Sequence, residues 1–150
     1  MTSILFVCLG NICRSPSAEG VVRAMAGDLD LSLDSAGTGP WHVGEAPYGP
    51  MQTAATARGY DLSDLRARQI TKGDFDRFDL IITMDKGNQR DVLALRPKGN
   101  QTPVRMLSDY SKKPGTDVPD PYYSRDFDGT LDMIEDCARG LIAALRDHEQ

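Results

Sequence analysis

Hydrophobic residues along the chain fall into two patterns. The first is the short unbroken apolar run: Ser3-Ile-Leu-Phe-Val-Cys8 at the start and Asp79-Leu-Ile-Ile-Thr-Met84 in the middle. Runs of this length without alternation predict strands buried on both faces, as in parallel sheets. Residues 31–36 and 103–107 are weaker candidates of the same kind.

The second pattern has helical spacing. Ala18, Val21, Val22 and Met25 form one apolar stripe, preceded by Ser15-Pro16 and followed by Gly27. Ser15 as N-cap and Pro16 at the first helical position predict the start of that helix. Residues 50–58 predict a second helix, with Gly59 as a fitting end. Asp85 predicts the cap of a third, running to about Leu95 before Pro97. The most regular stripe is Phe127, Leu131, Ile134, Ala138, Leu141, Ile142 and Leu145, an amphipathic helix at the end. Residues 37–49, rich in Gly and Pro, and 108–124, which carries Pro114, Gly115, Pro119 and Pro121, predict loops. Thr71-Lys-Gly-Asp74 leads into a short polar turn. Strands alternating with helices imply α/β architecture with a parallel sheet, and one domain over residues 1–150.

Charge and cysteine usage narrow the function. The net charge is −5, which argues against nucleic-acid or anionic-membrane partners. The three cysteines, Cys8, Cys13 and Cys137, do not form a secreted disulfide framework. The first apolar run is too short for a signal or a membrane span. A reducing, cytoplasmic setting is the expectation.

The chemistry is concentrated where the first strand ends, at Cys8-Leu9-Gly10-Asn11-Ile12-Cys13-Arg14-Ser15. In open α/β sheets ligands sit outside the carboxyl ends of strands. Gly10 and Asn11 tolerate left-handed backbone, which lets successive N–H groups face one concavity. The helix start that follows adds its free N–H groups and dipole, and Arg14 adds a planar fork for two oxygens of one phosphate. The loop therefore predicts a phosphate site. The same positive field favours the anionic form of the Cys8 sulfur, the nucleophilic one, with the Ser15 hydroxyl as a donor to it. Attack on phosphorus would give a phosphocysteine that water hydrolyses. In Asp117-Val-Pro-Asp120-Pro-Tyr-Tyr123, the proline-flanked Asp120 is the candidate general acid, and base in the second step. Trp41, Tyr122 and Tyr123 are the candidate walls of an aromatic slot.

These motifs resemble the low-molecular-weight protein tyrosine phosphatases. The resemblance spans essentially the whole chain: VCLGNICRSP, then DSAGT, ARQIT, DLIITMD and DPYY. It implies a three-layer domain, a four-stranded parallel sheet flanked by helices, with the phosphate loop after the first strand. It implies Cys8 as nucleophile, Arg14 as phosphate binder and Asp120 as acid. Asn11, Ser15 and Ser35 would support the loop, and Cys13 would pair with Cys8 under oxidation. No metal or cofactor is called for; tyrosine-phosphorylated proteins would be the partners and inorganic phosphate the product. One position departs: many animal relatives carry His three residues before the Arg of ARQ, where this chain has Leu65, so the support network must be smaller or closed differently.

Other readings attach to the same residues. Cys8 alone would suit a buried strand end. Cys8 and Cys13 as zinc ligands lack partners, since only His42 and His148 exist. Asp120 suits a turn or cap, Asp117 is the rival acid, and Asp85 suits a cap and loop support. Trp41 suits simple loop packing. Tyr122 and Tyr123 also suit phosphorylation. Cys137 suits the core, His42 and His148 ordinary surface positions, and Asp126 and Asp128 a solvated face. A thiol-linked arsenate reductase would need further mid-chain cysteines, absent between Cys13 and Cys137. An arginine phosphatase would carry Thr where Ile12 stands. An idle anion-binding module would be expected to lose Cys8, Arg14 or the acid.

Overall fold

Strand β1 (Thr2–Cys8) is the apolar run at the start of the chain, and it lies in the middle of the molecule. Ile4, Phe6 and Cys8 face one hydrophobic cluster while Leu5 and Val7 face another, so both surfaces of the strand are covered. That is why the run shows no polar alternation. The computed structural model of the chain describes residues 1–149; the side chains of His148 and Glu149 are also outside the description, so the surface position expected for His148 lies outside the described residues.

Four strands form one parallel sheet in the order β2-β1-β3-β4, with β2 (Leu31–Gly37), β3 (Leu80–Thr83) and β4 (Val104–Met106). β1 pairs with β2 on one side, Cys8 opposite Gly37, and with β3 on the other, Val7 opposite Thr83. The chain thus leaves β1 toward β2 and returns across it to β3. The strand order reverses beside β1, which is where such sheets open a crevice at their carboxyl ends.

Helices cover both faces. On one lie α1 (Arg14–Met25), α2 (Gly49–Thr56) and α6 (Phe127–Glu149). Their apolar stripes meet the sheet through Val21, Val22, Met51, Leu131, Ile134 and Leu141, all fully buried. Cys137 is buried in this layer, as its neighbours predicted. On the other face, α3 (Asp74–Arg77) and α4 (Lys86–Leu95) bring Phe75 and Val92 against Val7, Ile81 and Val104. This is the three-layer arrangement expected. Among the described residues no helix is long and apolar enough to cross a membrane.

Two local expectations are corrected. Helix α1 begins one residue before Ser15, with Cys13 as its N-cap and no side-chain cap bond. The Ser15 hydroxyl is instead drawn to the Cys8 sulfur, a contact between the strand end and the first helical turn that competes with capping. The segment expected as one long loop at 108–124 is interrupted by a 3-10 turn, Leu107–Tyr110, and a four-residue helix, α5 (Pro121–Ser124). Asp120 caps α5 through its side chain, and Pro121 occupies the first turn, where a missing N–H is harmless. The cap of α4 is as predicted: Asp85 Oδ1 accepts from the Asn88 N–H at 2.7 Å.

Candidate active site

The loop from Cys8 to Arg14 is fixed from below before it meets any ligand. Gly37, at the end of β2, allows the loop to lie directly on it, because a Cβ there would sit 2.7 Å from the Leu9 carbonyl oxygen. The chain beyond β2 then donates Thr38 N–H to Cys8 O (2.9 Å) and Gly39 N–H to Leu9 O (3.0 Å), and Tyr48 N–H reaches Ile12 O at 2.8 Å. Of the two residues expected in left-handed backbone, only Asn11 adopts it, with φ 58°. Asparagine tolerates that region best among residues with a Cβ. Gly10 has another use. The His42 ring packs over it so closely that a Cβ would meet Cδ2 at 3.0 Å.

Asn11 organises the sulfur's surroundings. Its N–H donates to Cys8 Sγ at 3.2 Å. Its Nδ2 donates to the hydroxyls of Ser15 (2.8 Å) and Ser35 (3.0 Å). With one lone pair of Ser15 occupied in this way, its proton can point to Cys8 Sγ, 3.0 Å away. Asn11 Oδ1 accepts the main-chain N–H of Arg68 at 3.0 Å. The network thus closes on a backbone group from the ARQIT segment, three residues after Leu65. Beneath the network, Glu19 accepts from Arg23 Nη2 at 2.7 Å. Burial pushes the Glu19 carboxyl up, against the opposing pull of Arg23 and Ser35.

Arg68 is held in turn by Asp74, which is fully buried and takes both guanidinium nitrogens at 3.0 Å. Burial alone would raise the Asp74 carboxyl, but Arg68 and the Thr71 N–H outweigh it and hold it below the usual carboxylate range. Glu19, Arg68 and Asp74 were not singled out by sequence reasoning. Their only signal was charge inside otherwise apolar or turn-forming segments.

Arg14 is 2 % exposed, and its fork is aimed by three oxygens. Nη1 donates to Asp85 Oδ2 at 2.7 Å and to the Val118 carbonyl at 2.9 Å; Nη2 lies 3.5 Å from Asp120 Oδ2. Asp85 therefore caps α4 with one oxygen and positions Arg14 with the other. Asp120 is likewise double: Oδ1 caps α5 through Tyr122 N–H at 3.0 Å, and Oδ2 faces Arg14. The rival acid Asp117 is turned away, accepting Lys86 N–H at 3.0 Å.

These groups open into a cavity of about 290 Å³ whose floor includes Cys8, Ile12, Cys13 and Arg14. Asp120 stands at its side, and Trp41, Tyr122 and Tyr123 form its walls. The walls are soft by comparison, at 67 %, 40 % and 73 % exposed. His42, expected as an ordinary surface residue, also lines the cavity, with Nδ1 bonded to Glu45 at 2.8 Å. Burial, with Asp120 and Cys8 adding negative charge, pushes the Cys13 thiol up to about 12. Ser35 lies behind the loop rather than in the cavity.

The cavity thus brings a buried sulfur, a guanidinium fork and a carboxylate together beside exposed aromatic rings. The family model for low molecular weight phosphotyrosine protein phosphatase matches residues 3–150. The low molecular weight protein-tyrosine-phosphatase YfkJ of Bacillus subtilis is 37 % identical over 155 residues, covering 100 % of this chain and 99 % of its own. Its crystal structure superposes with a TM-score of 0.93 over 100 % of this chain and 98 % of that one. A Streptomyces coelicolor low molecular weight protein-tyrosine-phosphatase is 42 % identical over 154 residues, 96 % of this chain and 93 % of its own. The crystal structure of a protein tyrosine phosphatase from Entamoeba histolytica, with Hepes in its active site, gives a TM-score of 0.91 at 33 % identity over the full length of both chains. The chain belongs to the low molecular weight phosphotyrosine protein phosphatase family.

Proposed function

We propose that the enzyme hydrolyses phosphotyrosine and other aryl phosphate monoesters through a phosphocysteine on Cys8. The observation that carries this reading is the sulfur's place. It receives the Asn11 N–H, neighbours the Ser15 hydroxyl, and lies on the floor of a cavity that also holds Arg14 and Asp120. The phosphoryl oxygens occupy the concavity formed by the loop N–H groups and the Arg14 fork. Sulfur attacks phosphorus, the S–P bond forms, and the P–O bond to the phenol breaks. Asp120 gives its proton to the departing phenolate. Water then attacks the phosphocysteine, Asp120 takes a proton from it, and the sulfur leaves as thiolate with inorganic phosphate as product. Charge neutralisation comes from Arg14 and the main chain, so no step requires a metal or cofactor.

Ile12 on the floor and the three aromatic walls favour a flat ring over a guanidinium, hence tyrosine-phosphorylated proteins as substrates. The net charge of −5 argues against nucleic-acid and anionic-membrane partners, and the low, odd cysteine count supports a reducing, cytoplasmic location. Cys13 is the proposed redox partner. Peroxide would oxidise Cys8 to the sulfenic acid, and the Cys13 thiol would displace water to leave a Cys8–Cys13 disulfide.

Acid-quenched turnover of a labelled aryl phosphate should show phosphate bound covalently to Cys8, and p-nitrophenyl phosphate should give a burst. EDTA should leave the rate unchanged. Cys8→Ser should abolish turnover; activity surviving in that variant would falsify the mechanism.

A further inference from the structure

Arg125 follows α5 and stands at the outer edge of the aromatic wall. Its backbone is left-handed, with φ 64°, and only Asn11 shares that state among described residues other than glycine. A helix end in this conformation usually carries Gly, which pays no Cβ penalty there. The arginine is nevertheless held firmly. Its guanidinium lies over the rings of Tyr48 and Phe127, 5.4 and 5.3 Å from their centroids, and Nη1 donates to Tyr48 Oη at 2.8 Å. Tyr48 in turn packs 5.1 Å from Tyr122, a wall of the cavity. The charge is felt at Cys13 on the floor, where it opposes the effect of burial.

No carboxylate answers this cation among the described residues. The acids adjacent in sequence are engaged elsewhere: Asp126 Oδ1 accepts Gly129 N–H at 2.8 Å at the start of α6, and Asp128 lies 3.4 Å from Arg58. Arg125 is exposed. A fork that is preorganised on two rings, charged and unpaired loses little freedom when it meets a planar carboxylate.

We infer that Arg125 is a specificity-determining residue that binds an aspartate or glutamate side chain of the substrate protein close to its phosphotyrosine. The substrate class is then phosphotyrosine in an acidic sequence context. This rests on the phosphotyrosine reading above. The effect is that of a rim ion pair: on the order of fivefold in kcat/KM, strongest at low salt.

The test compares two phosphotyrosine peptides, one with aspartate and glutamate flanking the phosphotyrosine and one with asparagine and glutamine in their place. The wild type should favour the acidic peptide about fivefold at low ionic strength, and salt should shrink that ratio. Arg125→Gln should bring the ratio to about one, Arg125→Glu should invert it, and Arg125→Lys should keep part of it. In each variant the kinetics with p-nitrophenyl phosphate, which has no flanking groups, should stay within about twofold of wild type. Equal rates for the two peptides in the wild type overturn the inference, as does a ratio that survives in Arg125→Gln. Should the Gln variant be too unstable to assay, the salt dependence of the wild-type ratio decides alone, and a salt-independent ratio counts against Arg125. If the wild type cleaves neither peptide yet cleaves p-nitrophenyl phosphate, the phosphotyrosine reading fails instead.

Discussion

The floor and the walls of the cavity are built by different physics. The floor is a closed set of buried hydrogen bonds: Arg14 on Asp85, Asn11 on Ser15, Ser35 and the Arg68 N–H, Arg68 on Asp74. Arg14, Asn11, Ser15, Ser35 and Asp74 have almost wholly left water there, so each must keep its partner or incur the full desolvation cost. The walls are exposed rings touching at their edges, such as Tyr122 against Tyr123 at 5.4 Å, with an unpaired cation outside them. They lose little when one member changes. On the proposed function, reaction geometry would depend on the buried part and the choice of substrate on the exposed part.

Replacing floor residues should cost most. Arg14→Lys keeps the charge but cannot serve Asp85, Val118 O and two phosphate oxygens together, so kcat/KM should fall by about a thousandfold, on the scale of losing an oriented transition-state donor. A loss under tenfold with p-nitrophenyl phosphate would make the floor as forgiving as the walls. Asp120 stands between the two regions. Asp120→Asn should slow phenyl phosphate by about a hundredfold and p-nitrophenyl phosphate far less, since only the poorer leaving group needs the proton. Uniform slowing across an aryl phosphate series would remove Asp120 from the acid role.

Next comes the scaffold behind the floor. Asp74→Asn should destabilise by about 2 kcal/mol in thermal or urea unfolding. This is below the roughly 3–5 kcal/mol of fully buried pairs, because Arg68 is 29 % exposed. The pH dependence has a fixed sign. The Asp74 carboxyl is held low in the folded chain, so its contribution is complete above about pH 4 and is lost as pH falls through the lower folded value. Glu19 behaves oppositely: its carboxyl is raised by burial, so its contribution is complete below about pH 4.3 and lost as pH rises through the folded value. Unfolding curves from pH 3 to 7 should lose the acid-side slope in Asp74→Asn and the opposing slope in Glu19→Gln. The smallest effect belongs to a wall. Trp41→Ala should raise KM for aryl phosphates about threefold, with kcat nearly unchanged, as expected for one exposed ring contact. A large fall in kcat would show that this wall helps to hold the floor.

What could be read beforehand follows the same division. Cys8, Asn11, Arg14 and Ser15 fall within eight consecutive residues, and Asp120 carries its prolines beside it, so local chemistry identified them. Ser35 and the Cys13 assignment came through the family resemblance. His42 looked like a surface residue, because nothing local shows that its ring lies on Gly10, a residue 32 positions away by number. Gly10 itself was assigned to a backbone role when it was needed for space.

The sequence by itself determined the four strands, the four longer helices, the position of the loop at the end of β1 and the residue types gathered in it. Each of these depends on neighbours within a few positions, where periodicity and backbone preference act. Only the tertiary structure decided which carboxylate aims Arg14, how the Asn11 network closes without a histidine at position 65, and that Tyr48 holds Arg125 at the rim. Those contacts join segments separated by tens of residues, and long-range partners are chosen by packing of the whole fold rather than by any local pattern.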